Sequence, residues 1–412
     1  MEKNIIRKAV YLLAFSAALS SCNQKETRIL RFLNPLQIDR NNEVVTINCN
    51  DLSNKIGDLP KGMLPLFLQG SDTLVSQNID LNKDGTPEEI LVEVSIPAGG
   101  YKDIDVMFVP ADGFPKFKEK TNLHFALINE TGKELDSMNR VQSNQTGVTS
   151  KVLQMEGPGW ENDKVGFRNY FDLRNGMDIF GKIKPLMVLD TIGIGVYSYH
   201  LMSNWGMDIL KVSNSLGAGA IGMEKDGKLY RIGDNGESGF ERFYEGPLKT
   251  EFALHFKNWV AGSDSLDITH YISITSGKYC YESSVFADFP DDSYRLISGF
   301  VNKYADSLIF INSLDNHVFL ASHSIQSEDK SVLGMALLIP REHFISHAEA
   351  PKTGEGITET YYASMQAETK FFFYAGWALG NQEFEKAEGF LNLLKEDALK
   401  FDYPIQIQKV KM

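Results

Sequence analysis

A clear strand-like pattern occupies residues 103–109, Asp103-Ile104-Asp105-Val106-Met107-Phe108-Val109. Its apolar and polar residues tend to alternate, as in a strand with one face buried and the other in water. The pattern recurs along the chain between turns rich in Gly, Asn, Asp and Pro. Further examples are residues 43–47, 89–94, 124–128, 251–256 and 271–274. Many short strands without alternating helices predict a β-sandwich rather than a parallel α/β fold.

Helix is sparse until the end of the chain. Between Gln382 and Phe401, apolar residues recur at intervals of three and four, which predicts an amphipathic helix that Pro404 ends. The polar, turn-rich stretch from Asn129 to Thr149 marks a boundary between two β domains. The predicted division therefore gives an N-terminal β domain over residues 41–145. A larger β-sandwich domain with the C-terminal helix follows over residues 146–412.

The composition excludes some classes of function. The chain has 412 residues, with 41 Lys and Arg against 54 Asp and Glu, so its formal net charge is −13. Binding to nucleic acid needs a basic face that releases counterions from phosphates, so we expect no nucleic-acid partner. The three cysteines, Cys22, Cys49 and Cys280, are too few for a disulfide framework. Cys49 and Cys280 could form one bridge, but we expect them to be buried thiols.

The chain begins with the features of an export signal. Basic residues precede a short apolar run, residues 9–15, and Leu19-Ser20-Ser21-Cys22 resembles a bacterial lipobox, whose cysteine is acylated and becomes the mature N-terminus. The apolar run is too short to span a membrane. We therefore expect a lipoprotein signal peptide over residues 1–21 and a tether over residues 22–40. The exported body would be held to a bacterial outer membrane only by lipid on Cys22. A plain signal peptide with an incidental cysteine is the alternative.

An acidic loop has the spacing of calcium ligands. In Asp80-Leu81-Asn82-Lys83-Asp84-Gly85, alternate side-chain oxygens can point inward, and the glycine permits the turn that wraps the chain round an ion. Leu91 stands where an EF-hand needs a bidentate glutamate, so the loop is not an EF-hand. The candidate ligands of a structural Ca²⁺ are Asp80, Asn82, Asp84 and Glu88. A polar hairpin whose side chains bond their own backbone is the alternative. We expect no required cofactor.

Residues 156–172 are dense in both charge and aromatic rings. A strand over this stretch would place aromatic, amide and cationic side chains on one face: Trp160, Asn162, Lys164, Arg168 and Tyr170. Rings stack on sugar faces while arginine and lysine bind carboxylates, so the stretch predicts a carbohydrate or uronate site. A surface strand with cross-strand ion pairs is the alternative.

A second stretch, residues 197–211, supplies a group that titrates near neutral pH, His200. Asp208 and Lys211 could orient this histidine or bind a substrate. A lone histidine is more often structural than catalytic. The glycine-rich run that follows, residues 215–222, lacks the spacing of a phosphate-binding loop and has no helix after it, so we reject nucleotide binding.

The order of these motifs resembles the secreted bacterial family called domain of unknown function 4861. Residues 157–182, His200, residues 205–212 and residues 215–219 carry the resemblance. It implies a mainly β fold, a galactose-mutarotase-like β-supersandwich with an accessory N-terminal β domain and a C-terminal helix. It also implies a place in polysaccharide utilisation, notably of uronate glycans, but no agreed reaction, and a shared fold does not fix one. Ser213 and Asn214 stand in a stretch where the family's pattern has a glycine.

Two hypotheses of different classes follow. In the first, the protein is a lyase, hydrolase or epimerase acting on uronate-containing oligosaccharides. His200 would be the general acid or base with Glu161 or Asp208 as its counterpart, while Arg168 and Lys211 would bind the carboxylate. The residues of the sugar platform would be Trp160, Trp205 and Tyr170. In the second hypothesis the same aromatics and cations bind a glycan without catalysis. A structural protein with no ligand remains a third reading, and separate positions for Arg168, His200 and Lys211 would favour it.

Overall fold

The computed structural model of this protein describes residues 28–128, 133–139, 152–194, 198–232, 237–261 and 264–410. The predicted signal peptide, Cys22 and the first part of the predicted tether lie outside the described residues. So does most of the polar stretch between residues 129 and 149.

The described residues form strands and two α-helices. The first strands are β1 (Arg28–Leu33), β2 (Arg40–Asn48), β3 (Met63–Gln69), β4 (Asp72–Thr73), β5 (Ser76–Ile79), β6 (Glu89–Ile96), β7 (Tyr101–Pro110), β8 (Thr121–His124) and β9 (Ser137–Asn139). The middle strands are β10 (Gly159–Asn162), β11 (Val165–Asn169), β12 (Met177–Lys182), β13 (Gly206–Asp208), β14 (Ala218–Lys225), β15 (Lys228–Arg231), β16 (Glu237–Tyr244), β17 (Lys249–Ala261) and β18 (Asp264–Thr275). The last are β19 (Cys280–Ala287), β20 (Tyr294–Val301), β21 (Ile309–Ile311), β22 (His317–Ile325), β23 (Val332–Pro340), β24 (Phe344–Glu349), β25 (Thr360–Met365), β26 (Glu368–Trp377) and β27 (Gln406–Lys409). The helices are α1 (Cys49–Ile56) and α2 (Ala387–Asp402).

Two sheets form an N-terminal β unit. A five-stranded sheet has the order β27-β1-β7-β3-β4, and a three-stranded sheet has the order β2-β6-β5. Their side chains and those of α1 share one core, in which Leu30 and Phe32 are fully buried. The last strand, β27, pairs antiparallel with β1, so the two ends of the described chain meet in one sheet.

This arrangement corrects the predicted domain boundaries. The predicted tether is wrong over residues 28–33, because Leu30 and Phe32 alternate with exposed or half-buried neighbours and form the core-facing side of β1. At the other end, β27 belongs to the N-terminal unit although it was expected in the second domain. Residues 121–124 form β8, which pairs with β10 of the larger unit and not with the N-terminal sheets.

The larger unit is a sandwich of antiparallel sheets. The nine-stranded sheet has the order β21-β22-β23-β26-β19-β18-β17-β16-β9. Two five-stranded sheets share its core: β13-β12-β11-β10-β8, called the site sheet below, and β15-β14-β20-β25-β24. One apolar core joins the three sheets and contains Trp160, Phe300 and Phe373. The predicted fold class, a mainly β supersandwich with an accessory N-terminal β domain and a C-terminal helix, is confirmed.

The C-terminal helix α2 covers the other face of the nine-stranded sheet. Phe390 and Leu394 pack there against Phe372 and Tyr374. The helix begins at Ala387, later than predicted, because residues 382–385 form a 3₁₀ turn. Neither described helix is both long and apolar enough to cross a bilayer.

The two described cysteines are free thiols. Cys280 is buried, as predicted, whereas Cys49 is only half-buried at the start of α1. Burial raises the pKa of Cys49 to about 11 and also raises the pKa of Cys280, so both groups are held as neutral thiols at neutral pH.

Candidate functional site

Three neighbouring strands of the site sheet bring the candidate residues together. Arg168 on β11 lies opposite Asp178 on β12, and Asp208 on β13 lies opposite Phe180 on β12. Because alternate residues of a strand share one face, this register places the three charged side chains on the same face of the sheet. Gly206 permits the close pairing, since a Cβ there would lie 1.8 Å from the carbonyl oxygen of the facing strand.

Arg168 is the buried centre of the site, with only 2% of its surface exposed. Its Nη2 donates to Oδ2 of Asp178 at 2.7 Å and to Oδ2 of Asp208 at 2.9 Å. Its Nη1 donates to the hydroxyl of Tyr199 at 2.7 Å. The hydroxyl of Tyr170 accepts from Nη2 at 3.0 Å and donates to Oδ2 of Asp178 at 2.5 Å. One cation therefore holds two carboxylates and two phenols through charge-assisted hydrogen bonds.

The environment of Asp178 favours its protonated form. Burial and the nearby charge of Asp208 raise the pKa of Asp178 to about 7, and the opposing effect of Arg168 is smaller. Two carboxylates on one guanidinium leave an excess negative charge, which a proton on Asp178 removes.

His200 lies at the solvent side of this network. Its Nδ1 is 3.1 Å from Oδ2 of Asp208, and 62% of its side chain is exposed. The hydrogen bond to Asp208 raises the pKa of His200. The ring of Tyr199 packs beside the imidazole, with centroids 4.4 Å apart. Because Asp208 engages Nδ1, Nε2 is the nitrogen left for a substrate, which is the arrangement of an oriented general acid or base.

Four members of this network, Tyr170, Asp178, His200 and Asp208, line a cleft of about 320 Å³. Its lining residues are Tyr170, Arg174, Asp178, His200, Asp208, Leu210, Lys211, Val212, Ser213 and Glu328. Arg174 is already paired with Asp172 and Glu156. Lys211 is exposed and has no ion-pair partner among the described residues. Among the described residues of the lining, Lys211 is therefore the cation left to pair with an acidic group of a ligand, beside the carboxylates of Asp178, Asp208 and Glu328.

Ser213 explains one departure from the family's pattern. Its φ is 52°, in the left-handed region that glycine adopts without strain. The chain therefore keeps beside Lys211 the backbone conformation that a glycine would favour, although the residue is a serine.

The two indoles predicted to form a sugar platform do not line the cleft. Trp160 is fully buried between sheets, where it contacts Phe252 and Tyr281. Trp205 is 7% exposed and belongs to a separate apolar cluster beneath the loop that carries His200. A side chain without exposed surface cannot stack on a sugar, so the prediction is wrong for Trp160. Trp205 does not line the cleft and therefore cannot stack on a sugar bound there. Of the three predicted platform residues, Tyr170 alone lines the cleft.

Glu161 has a structural position and is not the counterpart of His200. It is fully buried, forms an ion pair with Lys182, and accepts hydrogen bonds from the backbone N–H groups of Val188 and Leu189 at 2.6 and 2.9 Å. These contacts fix a loop against the site sheet. The acid–base prediction for Glu161 is therefore wrong.

The predicted role of Arg168 also needs correction. Its Nε, Nη1 and Nη2 atoms all bond groups of the protein, so it has no free donor for a substrate carboxylate. It positions Asp178 and Asp208 instead. The sequence reasoning missed Asp178, although the register of neighbouring strands would have placed it opposite Arg168.

The acidic loop joins β5 to β6, as predicted for a hairpin. The carboxylate of Asp80 accepts from the backbone N–H groups of Asp84 at 3.2 Å and Gly85 at 2.8 Å, and Oδ1 of Asn82 accepts from Asp84 at 2.8 Å. These are the hydrogen bonds of the polar-hairpin alternative. A Ca²⁺ site at Asp80, Asn82, Asp84 and Glu88 stays a prediction. If the site exists, Ca²⁺ should raise the unfolding temperature of the wild-type protein. It should not raise the unfolding temperature of the Asp80→Asn variant.

Comparison with known proteins gives a family match and a distant relative. Residues 33–407 match the family described as Domain of unknown function (DUF4861). A protein of Formosa agariphila, described as "Uncharacterized protein P7", is 21% identical over 97% of this chain and 98% of its own length.

Solved structures give a weaker likeness. An alpha-mannosidase from Enterococcus faecalis V583 is similar with a TM-score of 0.48 and 8% identity, over 93% of this chain and 46% of that chain. A protein in the Glycosyl Hydrolase Family 38 from Enterococcus faecalis has the same TM-score and identity, with 47% of its chain covered. The chain therefore spans about half the length of these solved structures, and the likeness carries no inference about activity.

Proposed function

Because the chain belongs to the DUF4861 family, whose description names no reaction, we propose its function from the chemistry of the cleft. The protein is an enzyme that removes a proton from a uronate residue of an oligosaccharide. His200 is the general base, Asp208 orients it, and Lys211 binds the uronate carboxylate. The observation that carries this proposal is the contact of His200 with Asp208 at the edge of a polar cleft.

The proposed first step needs a cation at the uronate carboxylate and a base at the neighbouring C–H bond. The C–H bond beside a carboxylate becomes acidic when the carboxylate charge is neutralised, which Lys211 would do. Nε2 of His200 then takes the proton. In a lyase, the electron pair of the C–H bond forms a carbon–carbon double bond and the C–O bond to the leaving sugar breaks. The protonated His200 then gives its proton to the leaving oxygen. In an epimerase, a water molecule gives a proton to the opposite face of the same carbon, and His200 releases its proton to the solvent.

Hydrolysis by a carboxylate pair has less support from the geometry. A glycosidase of this kind places one carboxyl group as acid and another as base or nucleophile, both within reach of the sugar. Asp178 and Asp208 are bound by Arg168, and their side chains are only 1% and 3% exposed. His200 is the exposed titratable group of the network, so proton abstraction is the reaction that the site supports best.

The substrate class has two supports. The cleft lining is mostly polar or charged and is large enough for part of an oligosaccharide. The resemblance of the motifs in residues 157–219 implies a place among proteins of uronate-glycan utilisation. A glycan-binding protein without catalysis would use the same cleft, and the experiment below separates the two.

The test is incubation of the purified protein with a panel of pectin- and glucuronan-derived oligosaccharides. A lyase produces ultraviolet absorbance from the unsaturated uronate, and an epimerase changes optical rotation without a change in mass. Either result supports the proposal. A mass gain of one water shows hydrolysis instead. Binding without any of these changes shows a non-catalytic glycan-binding protein. Hydrolysis and binding without reaction would each overturn the proposal.

We further propose that the protein is exported and lipid-anchored to a bacterial outer membrane through Cys22. The support is the lipobox-like sequence that ends at this cysteine. In a cell fractionation experiment, the wild-type protein and a Cys49→Ala control should remain with the membrane, whereas Cys22→Ala should not. Membrane association of Cys22→Ala equal to that of the wild type would contradict the anchor.

A further inference from the structure

A second cluster of ligand-type side chains lies outside the cleft. Nδ1 of His124 is 3.1 Å from Oε1 of Glu134 and 3.5 Å from Oδ1 of Asp190. The three atoms all lie within 4.8 Å of one another. None of the three residues lines the cleft that holds His200. The cluster therefore has no part in the function proposed above and needs its own explanation.

The hydrogen bonds of Gln154 decide which nitrogen of His124 carries a proton. Nε2 of Gln154 donates to the carbonyl oxygens of Leu189 at 3.1 Å and Ile192 at 2.7 Å. The amide orientation is thereby fixed, and Oε1 of Gln154 accepts from Nε2 of His124 at 2.8 Å. In the neutral imidazole, Nδ1 then has a lone pair and no proton.

This tautomer leaves three acceptors facing one another. The lone pair of Nδ1 of His124 meets carboxylate oxygens of Glu134 and Asp190, and none of the three atoms supplies a proton. Three such acceptors repel unless a cation lies between them. A divalent metal ion satisfies all three, as does a second proton on the imidazole.

The distances suit a metal ion. Zinc binds histidine nitrogen and carboxylate oxygen at about 2.0–2.2 Å with tetrahedral angles, which places neighbouring ligand atoms about 3.3 Å apart. The observed separations of 3.1 and 3.5 Å from Nδ1 of His124 lie on either side of this value. Small shifts of the two carboxylates would complete the coordination.

The surroundings hold the ligand atoms as a metal site requires. Gln154 fixes the ring of His124, Nδ2 of Asn122 donates to Oδ1 of Asp190 at 2.9 Å, and Nη2 of Arg242 lies 2.8 Å from the second oxygen of Glu134. Such outer partners orient ligands in known metal sites. The side chain of His124 is 3% exposed, while those of Glu134 and Asp190 are 39% and 66% exposed. An ion can therefore enter from solvent and keep a water ligand.

We propose that His124, Glu134 and Asp190 form a binding site for a divalent transition-metal ion, with Zn²⁺ the best fit. One imidazole nitrogen with two carboxylates favours such an ion over Ca²⁺ or Mg²⁺, which prefer oxygen ligands alone. The ion would join β8, the segment before β9 and the turn around residue 190. It would thereby brace one edge of the site sheet.

The test is calorimetric titration of the untagged full-length protein with Zn²⁺, after chelator treatment and near neutral pH. We expect one Zn²⁺ per chain at this site and a rise in unfolding temperature. Asp190→Asn should weaken Zn²⁺ binding at least about tenfold, since loss of an outer partner alone often does so. The matched control is Asp292→Asn, which alters an exposed carboxylate at a turn elsewhere and should bind as the wild type does.

Two results would overturn the metal site. One is the absence of Zn²⁺ binding by the wild-type protein. The other is binding that Asp190→Asn and Asp292→Asn leave equally unchanged. In either case a second proton on His124 is the cation that holds the two carboxylates.

Discussion

Asp178 and Asp208 share a single buried guanidinium, and this sharing sets the charge of the cleft floor. Removal of water from two neighbouring carboxylates disfavours the state in which both are ionised. Burial and the neighbouring carboxylate of Asp208 therefore raise the pKa of Asp178 to about 7.

Asp178→Asn should flatten the pH dependence of stability between about pH 4 and pH 7. In the unfolded chain an aspartate loses its proton near pH 4, about 3 units below the folded value of about 7. The unfolded state therefore binds fewer protons in this window, and the free energy of unfolding falls as pH rises. Asp178 contributes up to about 1.4 kcal/mol per pH unit to this fall. Chemical denaturation at several pH values measures the slope.

The control for this experiment is Asp226→Asn, which changes an exposed carboxylate in a turn. It should keep the wild-type slope. Identical slopes for the wild type and Asp178→Asn would show that Asp178 is ionised throughout this range, contrary to the geometry described.

For single residues, the sequence predicts several of those that line the cleft but not the role of each one. His200, Asp208, Lys211 and Tyr170 line one cleft, as their shared region suggested. The prediction that Trp160 contacts a sugar was wrong because strand β10 is buried on both faces. Alternation along such a strand does not separate a ligand-facing side from a core-facing side. The elements packed on the two faces of the strand determine whether a side chain can reach a ligand. Those elements come from distant parts of the chain.

At the scale of elements, the ring of Phe390 is the centre of the contact between α2 and the nine-stranded sheet, which Leu394 and Phe401 extend. Phe390 is fully buried and lies over Gly334 and Gly376, where added Cβ atoms would come within 2.5 and 2.6 Å of the ring. The two glycines form the space into which the ring fits. The helix therefore has a single well-defined position on the sheet.

Phe390→Ala should lower the free energy of unfolding by about 3–5 kcal/mol, because it leaves a cavity over two glycines that cannot fill it. Leu399→Ala is the matched control, since Leu399 lies on the same helix but is 37% exposed. The control should change stability by less than about 1 kcal/mol. Urea denaturation measures both, and equal effects would contradict the proposed docking.

Local periodicity predicted α2 and five of the six quoted strand segments, because each carries its own apolar pattern. It was wrong for residues 125–128, which follow the end of β8 at His124. It did not predict that β1 pairs with β27. Nearly the whole chain separates these strands, and a single sequence contains no information on which distant edge completes a sheet. The tether predicted over residues 22–40 was wrong at residues 28–33 for this reason.

At the scale of the whole molecule, one sheet of the supersandwich holds two separate polar sites. The cleft of His200 and Asp208 lies on β11, β12, β13 and the loops beside them. The cluster of His124, Glu134 and Asp190 lies at the edge formed by β8. The separation allows the first site to be tested for catalysis while the second is tested for metal binding.

The most direct test of the central claim is turnover and binding by His200→Ala, with His347→Ala as the control for loss of an exposed histidine. Turnover of the best uronate oligosaccharide should fall at least about 100-fold in His200→Ala, while calorimetric affinity stays nearly unchanged. The rate of the wild type should rise with pH through the raised pKa of His200, since the base acts when deprotonated. Wild-type turnover by His200→Ala would contradict the account.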